Sequence, residues 1–405
     1  MHVLFIHQNF PAQFGHVARY LVERHQFQCT FCTQREVGPI EGIRIVRFQP
    51  RGGATERTHY CTRTFENAVA QAHGIYEALK AQSDLRPDLV VGHSGLGPTV
   101  FLRELYDCPT INYFEYYYRP RGSDLDFRPE FPPDEMSVLR SYCRNASLLL
   151  DLENCEAGYA PTRWQHSLLP ARYADKVQVI FDGVDTQIWR RHENVPRQYG
   201  SYQVDPETRI ITYVSRGFES MRGFDIFMRV AKRIYQQRPN VLFVVVGTDR
   251  TAYGGDTRYI QERTFREHVL NQDDYDLSRF VFPGLVPSPL LAQLLSLSDL
   301  HLYFTVPFVL SWSLFDALAC GATVVASDTA PVRELITHGE TGLVADFFDV
   351  DRLSELALEV LADPPAFRHL GQAGQALIER EYTVDRTLPR MLELYQKVVA
   401  GGRSA

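Results

Sequence analysis

Two arginines, Arg216 and Arg222, flank the glycine-rich run Arg216-Gly217-Phe218-Glu219-Ser220-Met221-Arg222-Gly223, which follows a short apolar strand and opens a helix. Guanidinium groups bind phosphate oxygens bidentately, and the unpaired N–H groups of a helix start add to the positive field. A diphosphate suits that pattern; two ordinary surface arginines are the alternative. Ninety residues on, Val306-Pro307-Phe308-Val309-Leu310-Ser311-Trp312-Ser313 leads into a second helix that carries Asp316 one turn inside. A carboxylate there can accept hydrogen bonds from two ribose hydroxyls, while the amides of 310–313 and the hydroxyls of Ser311 and Ser313 face a phosphate. In the N-terminal half, His93 ends an apolar strand and Glu115 opens the Tyr116-Tyr117-Tyr118-Arg119 loop. Strand ends are where functional carboxylates and imidazoles collect in open α/β sheets. Tyr117 and Arg119 would make an acceptor wall, and an aromatic plug under the loop is the other reading.

Such residues need a rigid scaffold, and the chain provides an α/β pattern twice. In the first half, strands are expected at His2–His7, Phe27–Cys32, Arg44–Phe48, Asp88–His93, Pro109–Phe114, Ser147–Leu152 and Val177–Phe181, with helices at Gly15–Arg24, Thr64–Lys80 and Gly97–Tyr106. After a polar stretch, Arg190–Glu207, strands recur at Ile210–Ser215, Val241–Gly247, Phe280–Pro283, Asp299–Phe304 and Thr323–Ser327. Helices are expected at Phe224–Gln236, Ser288–Leu297, Ser313–Cys320, Arg333–Thr337, Asp351–Leu361 and through 366–400. Strand runs apolar on both faces mean parallel sheets covered by helices on both sides. The expected architecture is two doubly wound Rossmann-like domains, residues 1–188 and 189–384, with 385–405 a helix crossing back to the first. The ligand is expected at the carboxyl ends of the strands.

Bulk composition narrows the function. The 405 residues carry a net charge of −7, which argues against a nucleic-acid partner. No apolar run reaches the length of a membrane span, and the N-terminus lacks the basic region of a signal peptide, so a cytoplasmic location is expected. Peripheral membrane contact has no support in the pattern. Of seven cysteines only Cys29 and Cys32 lie close together, on a strand, and structural thiols are expected. Asp124-Leu125-Asp126 and Asp349-Val350-Asp351 are pairs that arise easily in acidic loops, so no metal site and no cofactor are expected.

Residues 299–350 resemble the donor-binding signature of retaining GT-B glycosyltransferases of family four: a carboxylate, then Ala-x-Ala-Cys-Gly at 317–321, Val-Val-Ala-Ser at 324–327 and Gly-x-x-Gly-Leu-Val at 339–344. The resemblance implies a nucleotide-sugar donor held largely by the C-terminal half and a small-molecule, glycan or polypeptide acceptor. It implies that Arg216 and Arg222 take the donor diphosphate, that Asp316 takes the ribose, and that Gly284, Leu285 and Val286 read the base. Phe308, Val309, Leu310 and Trp312 would line the donor-sugar pocket. Asn9, Phe10 and Gly15 match the acceptor-side loop, and Glu115 aligns with the position of a family histidine near the donor sugar; His93 lies at the same rim. Two departures stand out: the first glutamate of the family's pair falls on Phe308, and the second is shortened to Asp316. The implied activity is transfer of a sugar with retention and without metal, domain closure assembling the site. A sugar-nucleotide epimerase, a phosphorylase and a non-catalytic nucleotide-sugar-binding protein are the rivals.

Overall fold

A computed structural model of the chain describes residues 1–199 and 202–402. The chain divides into two compact units: Met1–Asp126 with Pro132–Asp182 and the chain from Asp385 onward, and Phe127–Phe131 with Gly183–Val384.

The first unit is built on seven strands, β1 (His2–Ile6), β2 (Gln28–Thr33), β3 (Ile43–Arg47), β4 (Leu89–His93), β5 (Thr110–Tyr113), β6 (Ala157–Ala160) and β7 (Val177–Val179). They run parallel in the order β3-β2-β1-β4-β5-β6-β7. The chain steps outward from β1 to β3, then returns to the far side of β1 with β4, so its direction across the sheet reverses between β1 and β4. A crevice at the carboxyl ends of the strands forms at such a point. Both faces of the central strands are covered, which is why β4 is buried along its whole length. Leu4 and Ile6 pack with Ile75 and Leu79 of the helix Arg63–Lys80. Phe5, pointing the other way, meets Phe14, Phe31 and Tyr395.

Local structure overturns three expectations. Ser147–Leu152 is not a strand but part of the helix Ala146–Asn154, which buries Leu148, Asp151 and Leu152 on one face; the sixth strand lies beyond it at β6. Gly97–Tyr106 holds only a 3-10 turn, Leu102–Glu104. Its Gly97 presses so close to the end of β1 that a Cβ would lie 2.2 Å from the Ile6 carbonyl oxygen. Arg333–Thr337 is likewise reduced to a 3-10 turn, Val332–Glu334, entered from Pro331.

In the second unit a short antiparallel pair, β8 (Gln198–Tyr199) and β9 (Tyr202–Gln203), precedes the main sheet. Gly200 and Ser201 of the expected linker lie outside the described residues, as do residues 403–405 of the expected terminal helix. The sheet comprises β10 (Arg209–Gly217), β11 (Val241–Thr248), β12 (Phe280–Gly284), β13 (Leu300–Tyr303), β14 (Val324–Ser327) and β15 (Leu343–Ala345) in the order β12-β11-β10-β13-β14-β15. All pairs are parallel, and the reversal falls between β10 and β13. The helix Phe224–Gln237 buries an apolar face of Phe224, Phe227, Val230 and Ile234, and Phe227 stacks on Tyr213 at 4.5 Å between ring centroids. Phe127–Phe131 joins this unit through Arg128, which is buried against Phe347 and donates to Asp225 at 2.6 Å.

Candidate functional site

The reversal point of the second sheet gathers the cationic residues. Arg216 projects from the last turn of β10, beyond a shift in register between Val214 and Gly217, and is exposed. Arg222 closes the 3-10 turn Ser220–Arg222 and is only 4% exposed, its Nη1 donating to Thr305 Oγ1 at 2.9 Å. Gly223, in the left-handed region at φ 59°, then starts the helix; a Cβ there would lie 2.7 Å from Phe304 Cβ. One side chain joins the two arginines. The guanidinium carbons of Arg216 and Arg222 lie 5.9 and 5.2 Å from the centroid of the Tyr253 ring, and Arg216 Nη1 donates to Tyr253 Oη at 3.5 Å. Phe308 completes the cluster, 5.5 Å from Tyr253 and 5.8 Å from Arg222. Among the described residues neither arginine forms an ion pair, so their charge is available to an anion.

Tyr253 is placed by a buried carboxylate. Glu219 Oε2 accepts the backbone N–H groups of Ala252, Tyr253 and Gly254, each at 2.9 Å. Burial pushes this carboxyl up, and the amides together with nearby Arg222 pull it back. Ser220 adds a second anchor through its N–H to Asp256 Oδ2 at 3.0 Å. Sequence reasoning missed Glu219 and Tyr253. Glu219 stands inside the run that carries the arginines, but Thr251-Ala252-Tyr253-Gly254 has no local signal, because β10–β11 pairing alone brings it there.

Across the reversal, the loop after β13 enters the helix Trp312–Ala319. Ser311 caps it, accepting from Ser313 N at 3.3 Å, while its own N–H donates to Tyr303 Oη at 3.0 Å. Ser313 Oγ donates to the Val214 carbonyl at 3.3 Å, which ties this helix start to the end of β10. The serine hydroxyls, 3.0 Å apart, are thus held within the protein, and the amides of Val309 and Leu310 have no partner among the described residues. Phe308 and Leu310 are buried, Val309 is half-buried and Trp312 is 46% exposed. The Asp316 side chain forms no hydrogen bond or ion pair among the described residues, while its carbonyl accepts the Cys320 N–H at 3.0 Å. Its accessible surface leaves it half-buried, and desolvation alone pushes its carboxyl well above the ordinary range. At the end of β12, Gly284 turns the chain at φ 73°, leaving Leu285 75% exposed while Val286 packs toward the core. Two cations, open amides and an unpartnered carboxylate therefore share the reversal point, a set able to hold a phosphate chain and a ribose diol.

The reversal point of the first sheet carries different chemistry. His7 follows β1, His93 ends β4 and Glu115 stands two residues past β5. His93 Nδ1 lies 3.0 Å from the Ser94 carbonyl, which can only accept; Nδ1 therefore bears the proton and Nε2 presents a lone pair. That Nε2 is buried, makes no hydrogen bond and lies 3.7 Å from Glu115 Oε2. Burial, then the neighbouring His7 ring at 5.0 Å, pushes His93 well below the usual imidazole range, and burial lowers His7 to about 4. Both rings are neutral at pH 7. Glu115 keeps about a third of its side chain exposed, and its Oε1 accepts from Gln13 Nε2 at 3.5 Å. Beneath the site, Asp151 accepts from Ser94 Oγ at 2.8 Å and Thr99 Oγ1 at 3.4 Å; burial raises its carboxyl to about 6.

The other N-terminal candidates are tied down. Asn9 donates its N–H to His7 Nδ1 at 2.9 Å and accepts from Arg35 Nε at 3.0 Å. Phe10 meets Phe31 edge-on at 4.8 Å, and a Cβ at Gly15 would lie 2.3 Å from Pro11 Cβ. Tyr117 packs against the cluster of Phe114, Leu152 and Tyr173, and Arg119 donates to the carbonyls of Ser167 and Leu168, at 3.2 and 2.9 Å, where the helix Arg163–Ser167 ends. Tyr117 is half-buried in this packing, and Arg119 stays exposed while it caps the helix end. Cys29 and Cys32 lie buried on β2, and burial raises the Cys29 thiol to about 12, far from a reactive thiolate. Among the described residues no three His, Cys, Asp or Glu side chains group as metal ligands, and no helix is long and apolar enough to cross a membrane.

Two family profiles match this chain. One, described as the glycosyl transferase family 4 group, covers residues 25–189; the other, glycosyl transferases group 1, covers residues 196–377. Among curated relatives, alpha-maltose-1-phosphate synthase of Mycolicibacterium smegmatis is 27% identical over 239 residues, 57% of this chain and 59% of that protein. N-acetyl-alpha-D-glucosaminyl L-malate synthase of Bacillus anthracis is 20% identical over 225 residues, 55% and 54% of the two chains. The chain thus spans little more than half the length of these relatives. Sucrose-phosphate synthase from Thermosynechococcus elongatus superposes with a TM-score of 0.75 at 17% identity, covering 99% of both chains. An Anabaena protein solved with UDP-glucose gives 0.71 at 14%, covering 98% of this chain and 100% of that one. At such identities the likeness is one of fold, the GT-B fold. Fold, profiles and relatives agree, and the chain belongs to the group 1, family 4 glycosyltransferases.

Proposed function

We propose that the chain is a cytoplasmic glycosyltransferase that moves a sugar from a nucleoside-diphosphate sugar to an acceptor hydroxyl or other nucleophile, with retention and without a divalent metal. The observation that carries the reading is the pair of unneutralised guanidiniums, Arg216 and Arg222, beside a helix start that bears an unpartnered Asp316. In this reading the arginines neutralise the departing diphosphate, which makes a metal ion unnecessary. Asp316 holds the ribose diol, and the exposed Gly284–Val286 turn meets the base. The amides of Val309 and Leu310 complete the phosphate cradle, the serines shaping it through their own hydrogen bonds. Glu115 steadies positive charge developing on the sugar or orients the acceptor, and the lone pair on His93 Nε2 takes part in holding its proton. The Anabaena neighbour was solved with UDP-glucose, and one relative's name specifies GDP-mannose, so UDP- and GDP-sugars are the first donors to try.

A thermal-shift screen of UDP-, GDP-, ADP- and TDP-sugars tests the donor assignment through ligand-linked stabilisation. With the donor in hand, NMR of the product's anomeric proton reads the stereochemistry, and an inverted anomer defeats retention. Full turnover in EDTA is expected; loss of turnover restored by a divalent ion defeats metal independence. One observation favours a second reading: Phe308 stands where a sugar-contacting glutamate is expected, buried against Tyr253 and Arg222. A chain that binds the donor yet transfers nothing to any acceptor would be a binding protein.

A further inference from the structure

A second basic site lies at the opposite, amino end of the second sheet's strands. A cavity of about 580 Å³ opens at the amino ends of β13 and β14, where Asp299 and Thr323 stand, while Arg216 and Arg222 mark the carboxyl end of β10. Arg191, His192, Arg197 and Arg368 line it. Its two acidic groups offset them only in part. Asp299 accepts the Ile210 N–H at 2.8 Å and faces Arg209 and Arg197 at 3.6 and 3.9 Å, and Glu193 is exposed.

Arg191 and Arg368 form no ion pair among the described residues. The one hydrogen bond from the Arg191 guanidinium goes to the Gly321 carbonyl at 3.2 Å. Partial burial first, then repulsion from Arg368, lowers the Arg191 pKa from its ordinary value. Arg197 Nε is also buried without an acceptor. A partly desolvated guanidinium that feels a second one more strongly than it feels the exposed Glu193 is an unfavourable arrangement that an anion would relieve. The volume falls in the range of small-molecule sites.

We propose that this cavity binds a phosphate group, clasped between Arg191 and Arg368, at a site separate from the two reversal points. The shared chemistry is a phosphate oxyanion, free or as the ester of a small molecule. Calorimetry at low ionic strength with inorganic phosphate, and separately with a hexose 6-phosphate, tests it. The backgrounds are wild type, Arg216→Ala/Arg222→Ala, Arg368→Ala and Arg191→Ala/Arg368→Ala. The double variant at the carboxyl end of the strands should retain binding, which makes the outcome independent of the proposed donor site. Arg368→Ala, which removes an exposed side chain with no partner and leaves the fold intact, should weaken it by about tenfold or more, as for a charge-assisted contact. Tighter binding of the ester would identify a phosphorylated small molecule, and equal binding the free ion. Unchanged affinity in Arg368→Ala and in the Arg191→Ala/Arg368→Ala variant, or no phosphate binding to wild type, would overturn the proposal.

Discussion

The two sheets reverse direction in the same manner and arm the reversal differently. In the second unit the crevice between β10 and β13 carries permanent charge on two arginines that cannot lose a proton, beside open amides and Asp316, whose carboxyl burial pushes well above its ordinary range. In the first, the crevice between β1 and β4 holds two imidazoles kept neutral by burial and a partly exposed Glu115. Fixed charge suits the grip on an anion, whereas groups with a lone pair or movable proton suit chemistry on a hydroxyl. The same topology thus presents fixed charge in one unit and neutral imidazoles beside a carboxyl group in the other.

Four substitutions would break or sharpen that contrast. The largest effect is expected from Glu115→Gln, which should lower turnover by about 10²–10⁴-fold while donor affinity, measured by calorimetry, stays within about twofold of wild type. Undiminished transfer would strike Glu115 from the chemistry. Asp151→Asn addresses the support beneath His93. With its folded pKa raised to about 6, Asp151 favours the folded state most below its unfolded pKa and loses that contribution as pH rises through 6. Urea unfolding at several pH values should show wild type losing up to about 3 kcal/mol relative to the variant between pH 4 and 6. Parallel curves would remove the titration from Asp151.

In the second unit, Arg222→Ala should weaken UDP or GDP binding by about 1.5–3 kcal/mol, the range for hydrogen bonds to charged groups. Arg216→Ala should cost less, about 1 kcal/mol, because that arginine is exposed and its charge is screened by water. Equal losses in the two variants would show that burial does not separate their roles, and wild-type affinity in both would reject the diphosphate assignment.

The placement of the candidate residues in the second unit was more legible in the sequence than the supports around them. Arg216, Arg222, Ser311 and Asp316 sit beside a strand end or helix start that local spacing announces. Tyr253 does not: it meets the arginines only because β11 lies beside β10, a long-range pairing invisible in Thr251-Ala252-Tyr253. Ser147–Leu152 misled for another reason. An apolar run of that length fits either a buried strand or the inner face of a helix. Leu148 and Leu152, four apart and both buried, settle it as a helix. The helix end that gives Arg119 two carbonyl acceptors was likewise not legible in its local sequence.

The grip of Glu219 on three successive amides has a consequence for variation. It recognises backbone and ignores what hangs from it, so the clamp places no demand on the side chains at 252 and 253 except that neither be proline, which has no N–H to offer. The ring at 253 can therefore be exchanged with the backbone clamp kept, leaving this position open to retuning of the cationic pair by selection or design.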